Sequence, residues 1–182
     1  MIKMIVKGYV HVLGDNVDTD VIIPGRYLMI TEPSEVAKHI FEGVESEFIK
    51  RVKPNDVLIA GKNFGSGSSR EQAASGIKAL GIGAIIAKSY ARIFFRNAIN
   101  IGLPIFTSSE IVDYINEKIK NLSFTGSYIK STSLLISIDS YNGIVKIEDK
   151  QFKINPLPEF IQEIMKNNDL IGWAKSRLRN KT

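Results

Sequence analysis

Three short, predominantly apolar runs restrict this chain more than any other feature. They are "DVLIAG" (56–61), "AIIA" (84–87) and "IFT" (105–107). A strand with no polar alternation offers no face to water, so it must be covered on both sides. The intervening segments supply the cover. After Ser69 the apolar residues Ala73, Ala74, Ile77 and Leu80 recur at helical spacing, and Gly81 is placed to stop the helix. Residues 90–101 read as a second helix ended by Gly102 and Pro104. Thr107-Ser-Ser-Glu110 reads as a capping box opening a third helix to about Lys120. Strand and helix alternating at this spacing predict right-handed parallel βαβ units.

The flanks are of other kinds. Residues 2–13 alternate like a strand pair or bent strand, with Gly8 at an expected bulge. Residues 14–26 read as a polar loop around a short apolar strand, and 34–50 as a helix capped by Ser34. Residues 133–154 alternate again around Asn142-Gly143, a hairpin turn signal. Two short helices are expected near 158–167 and 169–179. The expected fold class is α/β, with parallel βαβ units, a C-terminal antiparallel meander and terminal helices. A length of 182 residues suits one domain over 1–182, with no internal repeat.

The loop after the first apolar run, "GKNFGSGSSREQAA" (61–74), is where chemistry concentrates. Glycine is costly to order, so three in seven positions imply a close approach by a ligand or a neighbouring backbone. A strand passing through glycines into a helix start makes an anion site, because the first helical N–H groups lack partners and the dipole favours negative charge. Ser68 and Ser69 add hydroxyls there, and Arg70 can fork onto a carboxylate or phosphate. The alternative is a tight βα turn with Ser68 or Ser69 as helix cap. Three familiar motifs fail on spacing. No Lys follows Gly65 or Gly67 as a phosphate loop requires, Arg70 stands where a dinucleotide fingerprint needs its third glycine, and G-x-S-x-G is absent.

Composition narrows the chemistry. There is no cysteine, so this chain brings no disulfide, thiol nucleophile or cysteine-held metal centre. His11, in an expected strand, and His39, in an expected helix, are the only histidines and read as packing or surface residues. Asp15, Asp18 and Asp20 lack the spacing of a calcium loop, since Val21, Ile22 and Ile23 follow, and turn-forming Asx hydrogen bonds suit them. Arg92, Arg96 and Asn97 read equally as cap, packing or site residues. Net charge is +5, with Lys175, Arg177, Arg179 and Lys181 crowding the last eight positions. A solvated helix end explains these better than nucleic-acid binding, for which no aromatic interleaving is present. The charge also suits small polycarboxylate substrates. No apolar run approaches the ~20 residues of a membrane span, and the N-terminus alternates rather than forming a signal peptide, so the expected location is cytoplasmic.

"GSGSSREQAA", "IIAKSYARIFFRNAINIGLP" (85–104) and "GDNVDTDVIIPGRYL" (14–28) together resemble the small-subunit, or swivelling-domain, part of the aconitase and isopropylmalate isomerase family. They stand in that family's order and cover roughly a third of the chain. The resemblance implies a hydro-lyase, active only with a large subunit whose cysteines hold a [4Fe–4S] cluster. It moves a hydroxyl between neighbouring carbons of a di- or tricarboxylate, with isopropylmalate in leucine biosynthesis favoured. By motif, Ser68 is the catalytic base, acting as an alkoxide. Ser69 and Arg70 hold a substrate carboxylate, Gly65 and Gly67 shape the loop, and Thr19 and Asp20 support it. Met29 stands where an Arg after Tyr-Leu would go with an extra substrate carboxylate. Two positions depart from the family: Gln72 replaces its usual His, and Ser66 its frequent Cys or Glu. Any proton relay through that His is not carried over. Homoaconitate or another 2-hydroxy diacid is the alternative substrate. A non-catalytic anion-binding module, self-associating when isolated, is the alternative from another class.

Overall fold

The computed structural model describes residues 5–179. In chain order it runs β1 (Ile5–Val12), α1 (Thr19–Ile22), a 3-10 turn (Gly25–Tyr27), α2 (Pro33–Ala37), α3 (Glu42–Glu45), α4 (Phe48–Arg51), β2 (Val57–Ala60), α5 (Glu71–Ala79), β3 (Ala84–Ala87), α6 (Arg92–Asn100), β4 (Ile105–Thr107) and α7 (Ser109–Ile119). There follow β5 (Phe124–Thr125), β6 (Lys130–Asp139), β7 (Ile144–Ile147), β8 (Lys150–Lys153), α8 (Glu159–Lys166) and α9 (Leu170–Arg179).

Among the described residues the strands form one sheet in the order β4-β3-β2-β1-β6-β7-β8, with β5 added beside β6. β1 through β4 pair parallel, and β1–β6, β6–β7 and β7–β8 pair antiparallel. The apolar runs are indeed buried on both faces. Leu58, Ala60, Ile85 and Ala87 join one core with Ala73, Ala74 and Ile77 of α5 and Phe94 and Ala98 of α6. Val57, Ile59, Ala84 and Ile86 join the other, with α7 and the antiparallel strands. Each fully buried Val, Leu, Ile or Phe among these contributes about 1.5–3 kcal/mol, and each Ala less. The expected α/β class, with parallel units and an antiparallel meander, is what the chain adopts.

Local departures have visible causes. Residues 34–50 are broken into three helical turns, because Phe41 takes a left-handed φ of 59°. That conformation lets its N–H donate to Ile22 O at 2.8 Å and its ring pack edge-on against Phe48. His39 therefore lies in a turn rather than a helix. Ser34 is no cap: Glu32 is at the N-cap with Pro33 behind it. The apolar strand expected within 14–26 is the helical turn α1, capped by the Asp18 carboxylate accepting from Val21 N at 2.8 Å. The third βα helix is capped by Ser108, one residue after Thr107, through its hydroxyl accepting from Ile111 N. Residues 2–4 lie outside the described residues, and the rest of 2–13 is one strand. The bulge in that strand falls between Tyr9 and His11, not at Gly8. Gly8 answers to close approach instead, since a Cβ there would lie 2.2 Å from Asn55 O.

The bulge explains His11. It frees Tyr9 N–H, which donates to Asp56 Oδ1 at 2.8 Å. Asp56 Oδ2 accepts Lys53 N–H and pairs with His11 Nε2 at 2.9 Å, while His11 Nδ1 meets Ser131 Oγ at 2.9 Å. His11, Asp56 and the bulge are one buried polar unit that no local sequence pattern announced. In the C-terminal helix, Arg177 pairs with Glu163 at 2.7 Å and lies over Trp173, in keeping with a solvated helix face, and Lys181 lies outside the described residues.

Candidate active site

The glycine loop leaves the C-terminal end of β2 and is stitched to residues 14–19 along its length. Gly61 N–H donates to Gly14 O, Asn16 N–H to Lys62 O, Gly65 N–H to Val17 O and Thr19 N–H to Ser66 O, all within 2.7–3.0 Å. The two segments that resemble one family signature each are thus one structural unit. Its other flank is the start of the 85–104 segment, where Phe64 N–H donates to Ser89 O and Ala91 N–H to Phe64 O. The tertiary structure brings all three signatures to one edge of the parallel strands, where open α/β sheets place ligands.

The glycines have different reasons. A Cβ at Gly65 would lie 2.2 Å from the Phe94 ring, and at Gly61 1.8 Å from Asp15 Oδ1, so those two make room for the protein's own side chains. Gly65 and Gly67 also take φ values of 75° and 92°, which side chains rarely adopt. Gly67 alone of the three is exposed, and a Cβ there would lie 3.1 Å from Thr19 Oγ1.

Ser68 and Ser69 are both exposed. Neither caps α5: the N-cap is Arg70, which places no side-chain acceptor over the first-turn N–H groups. The capped-turn alternative is therefore not what this loop is; Ala73 N–H donates to Arg70 O at 3.2 Å, and the positive dipole end at Glu71 and Gln72 carries no side-chain cap. Buried Thr19 donates its hydroxyl to Ser68 O at 3.0 Å and lies 3.5 Å from Ser68 Oγ, the outer limit of a hydrogen bond.

Arg70 is mostly buried, and its guanidinium is oriented from beneath. Nη1 donates to Ile23 O at 2.9 Å, and Nη2 pairs with Asp20 Oδ1 at 2.5 Å. Its Nε–H is buried and has no acceptor. Asp15, Asp18 and Asp20 serve separate ends: Asp15 accepts Lys62 N–H, Asp18 caps α1, and Asp20 holds Arg70. Among the described residues no group of three or more His, Asp or Glu side chains could hold a metal ion. With no cysteine in the chain, its residues do not fit an iron–sulfur cluster.

Gln72 donates from Nε2 to Leu28 O at 3.1 Å, so it ties α5 to the turn that carries Met29. That turn has a second anchor which sequence reading missed. Glu42 accepts from Tyr27 OH at 2.7 Å, Arg26 Nη2 at 3.2 Å and His39 Nδ1 at 2.5 Å, and the Tyr27 and His39 rings stack 3.8 Å apart. These donors hold the Glu42 carboxyl below its ordinary pKa. Met29 itself is 91% exposed at the tip, not packed in a core. Arg92 and Arg96 are exposed and Asn97 half-buried on α6.

Comparison with known proteins decides the family. The chain is 49% identical to the 3-isopropylmalate dehydratase small subunit of Thermodesulfovibrio yellowstonii, over 96% of both chains. The chain belongs to the 3-isopropylmalate dehydratase small-subunit family. The relative from Caldicellulosiruptor bescii is also 49% identical, over 97% of this chain and 98% of its own. Residues 44–110 match the Aconitase C-terminal domain. A crystal structure of 3-isopropylmalate dehydratase from Methanocaldococcus jannaschii superposes with a TM-score of 0.81 at 39% identity, covering 98% of each chain.

Proposed function

We propose that the chain is the small subunit of an aconitase-type hydro-lyase that interconverts 2- and 3-isopropylmalate through isopropylmaleate in leucine biosynthesis. In this reading the 182 residues act as one swivelling-type domain in the cytoplasm, completed by a large subunit that carries a [4Fe–4S] cluster. The names of the full-length relatives support the reaction class. The observation that carries the site is Arg70. A guanidinium locked by Asp20 and the Ile23 carbonyl, with one buried N–H left without an acceptor, sits directly after two exposed serines at a helix N-terminus without a side-chain cap. A guanidinium held in this way can fork onto a carboxylate with two parallel hydrogen bonds.

In this reading Ser68 Oγ removes the proton from the carbon beside a carboxylate. Its alkoxide is stabilised by the α5 dipole, the loop N–H groups and the nearby Arg70 charge, an arrangement that needs no reorganisation at the moment of reaction. Arg70 and Ser69 orient the carboxylate, and Thr19 and Asp20 hold base and guanidinium in place. The test is to purify this chain with its large subunit and assay hydration of isopropylmaleate. Product formation needing both chains is expected. A chain that hydrates nothing with any large subunit, yet binds small anions as a homo-oligomer, would establish the non-catalytic module instead.

A further inference from the structure

We infer that the outer face of α6 is the docking surface for the large subunit, and that the partner meets it with carboxylates set around an apolar group. The inference rests on the small-subunit reading above. Arg92, Phe95 and Arg96 stand at i, i+3 and i+4 and so share one helix face. Both arginines are exposed. Arg26, Arg51, Arg70 and Arg177 each pair with a carboxylate, whereas Arg92 and Arg96 meet none among the described residues. Phe95 is 43% exposed and neighbouring Ile93 48%. Between Ser89, Tyr90, Thr107 and this face lies a hollow of about 450 Å³. Exposed aromatic and arginine side chains beside a hollow have the composition of an interface centre, unlike an ordinary solvated helix.

Position selects the partner. The hollow opens at the C-terminal ends of β3 and β4, and the Ser68 loop leaves the same end of adjacent β2. The two are mechanically joined: Phe94 on the inner side of α6 fills the space beside Gly65, and Ser89 Oγ accepts Asn63 N–H at 2.8 Å. A protein that completes the site above Ser68 lies against this face. Two unpaired guanidinium groups on it call for partner carboxylates, which steer encounter and fix register.

The experiment measures association of the purified chain with its purified large subunit. Arg92→Glu combined with Arg96→Glu should weaken binding at least about 30-fold, since close charge pairs across an interface are replaced by repulsion. Activity at saturating large subunit should recover to within about threefold, because neither residue touches substrate in this reading. Lys146→Glu combined with Lys153→Glu makes the same charge change on exposed positions of β7 and β8, and should leave affinity within about threefold. Phe95→Ala, which alters no charge, should weaken binding about tenfold and keeps the test decisive if the double variant does not fold. If wild type assembles while the α6 variants bind equally well, or no more weakly than the β7–β8 control, the surface is elsewhere. If wild type itself does not associate, the small-subunit reading falls with it.

Discussion

Thr19 and Ser68 are held together across the two strands' exit loops: the Thr19 hydroxyl donates to Ser68 O at 3.0 Å and lies 3.5 Å from Ser68 Oγ. Thr19 is 1% exposed, so the bond that orients the loop is shielded while Ser68 itself faces solvent. The proposed base is thus supported by a buried residue 49 positions away. Ser68→Ala should lower kcat by about 10²–10⁴-fold with the fold intact, the usual range for a positioned acid or base. Thr19→Val should lose less, about 10-fold, and should raise KM little. Steady-state kinetics of the two-subunit enzyme check both. Wild-type turnover in Ser68→Ala would move the base elsewhere.

Arg70 should separate charge from geometry. An ammonium at this position keeps the charge but cannot reach Ile23 O, Asp20 and a substrate carboxylate together. Arg70→Lys is expected to raise KM at least about 10-fold while lowering kcat less. Asp20→Asn should shift KM in the same direction by a smaller factor. Isothermal titration with a non-reacting dicarboxylate gives an independent readout. Unchanged dicarboxylate affinity in Arg70→Lys would remove it as the carboxylate clamp.

Met29 sits 91% exposed on a turn fastened by Gln72 and by Glu42. An apolar tip favours an isopropyl group by only ~1–3 kcal/mol, whereas a third carboxylate left unpaired beneath a closed partner costs several kcal/mol. Isopropylmalate should therefore exceed homocitrate and homoaconitate in kcat/KM by at least about 10², and Met29→Arg should narrow or reverse that gap. Competition assays with each substrate measure the ratio, and an unchanged ratio in Met29→Arg would show that this turn does not select the substrate.

His11 makes stability depend on pH. Burial lowers its pKa below the ordinary value of 6.5, against the opposing pull of Asp56. The unfolded chain then binds a proton near pH 6.5 that the folded chain refuses until lower pH. The contribution is full above the unfolded value and is lost as pH falls from there through the lowered folded value. Thermal unfolding of wild type should weaken over that interval, and His11→Gln should show a shallower decline. An identical slope in the two proteins would mean that His11 does not carry the dependence.

The apolar runs by themselves determined the parallel core, because a strand without polar alternation has to be covered on both faces. Glycines, serines and an arginine at a helix start likewise made the loop legible as an anion site, and three motifs in order made the family legible. Tertiary structure decided the rest. Phe41 breaks a helical pattern because its N–H meets Ile22 O and its ring meets Phe48, contacts that no local periodicity encodes. Gly61 and Gly65 read as room for either a ligand or a neighbouring stretch of chain, and Asp15 and Phe94 of the protein itself occupy that room. Met29 could be packed or exposed on sequence alone, and Gln72 and Glu42 settle it by fastening the turn at its base. The His11–Asp56–Ser131 unit joins residues up to 120 positions apart. Local sequence specifies what one segment must bury or leave open, and only folding specifies which distant segment comes to meet it.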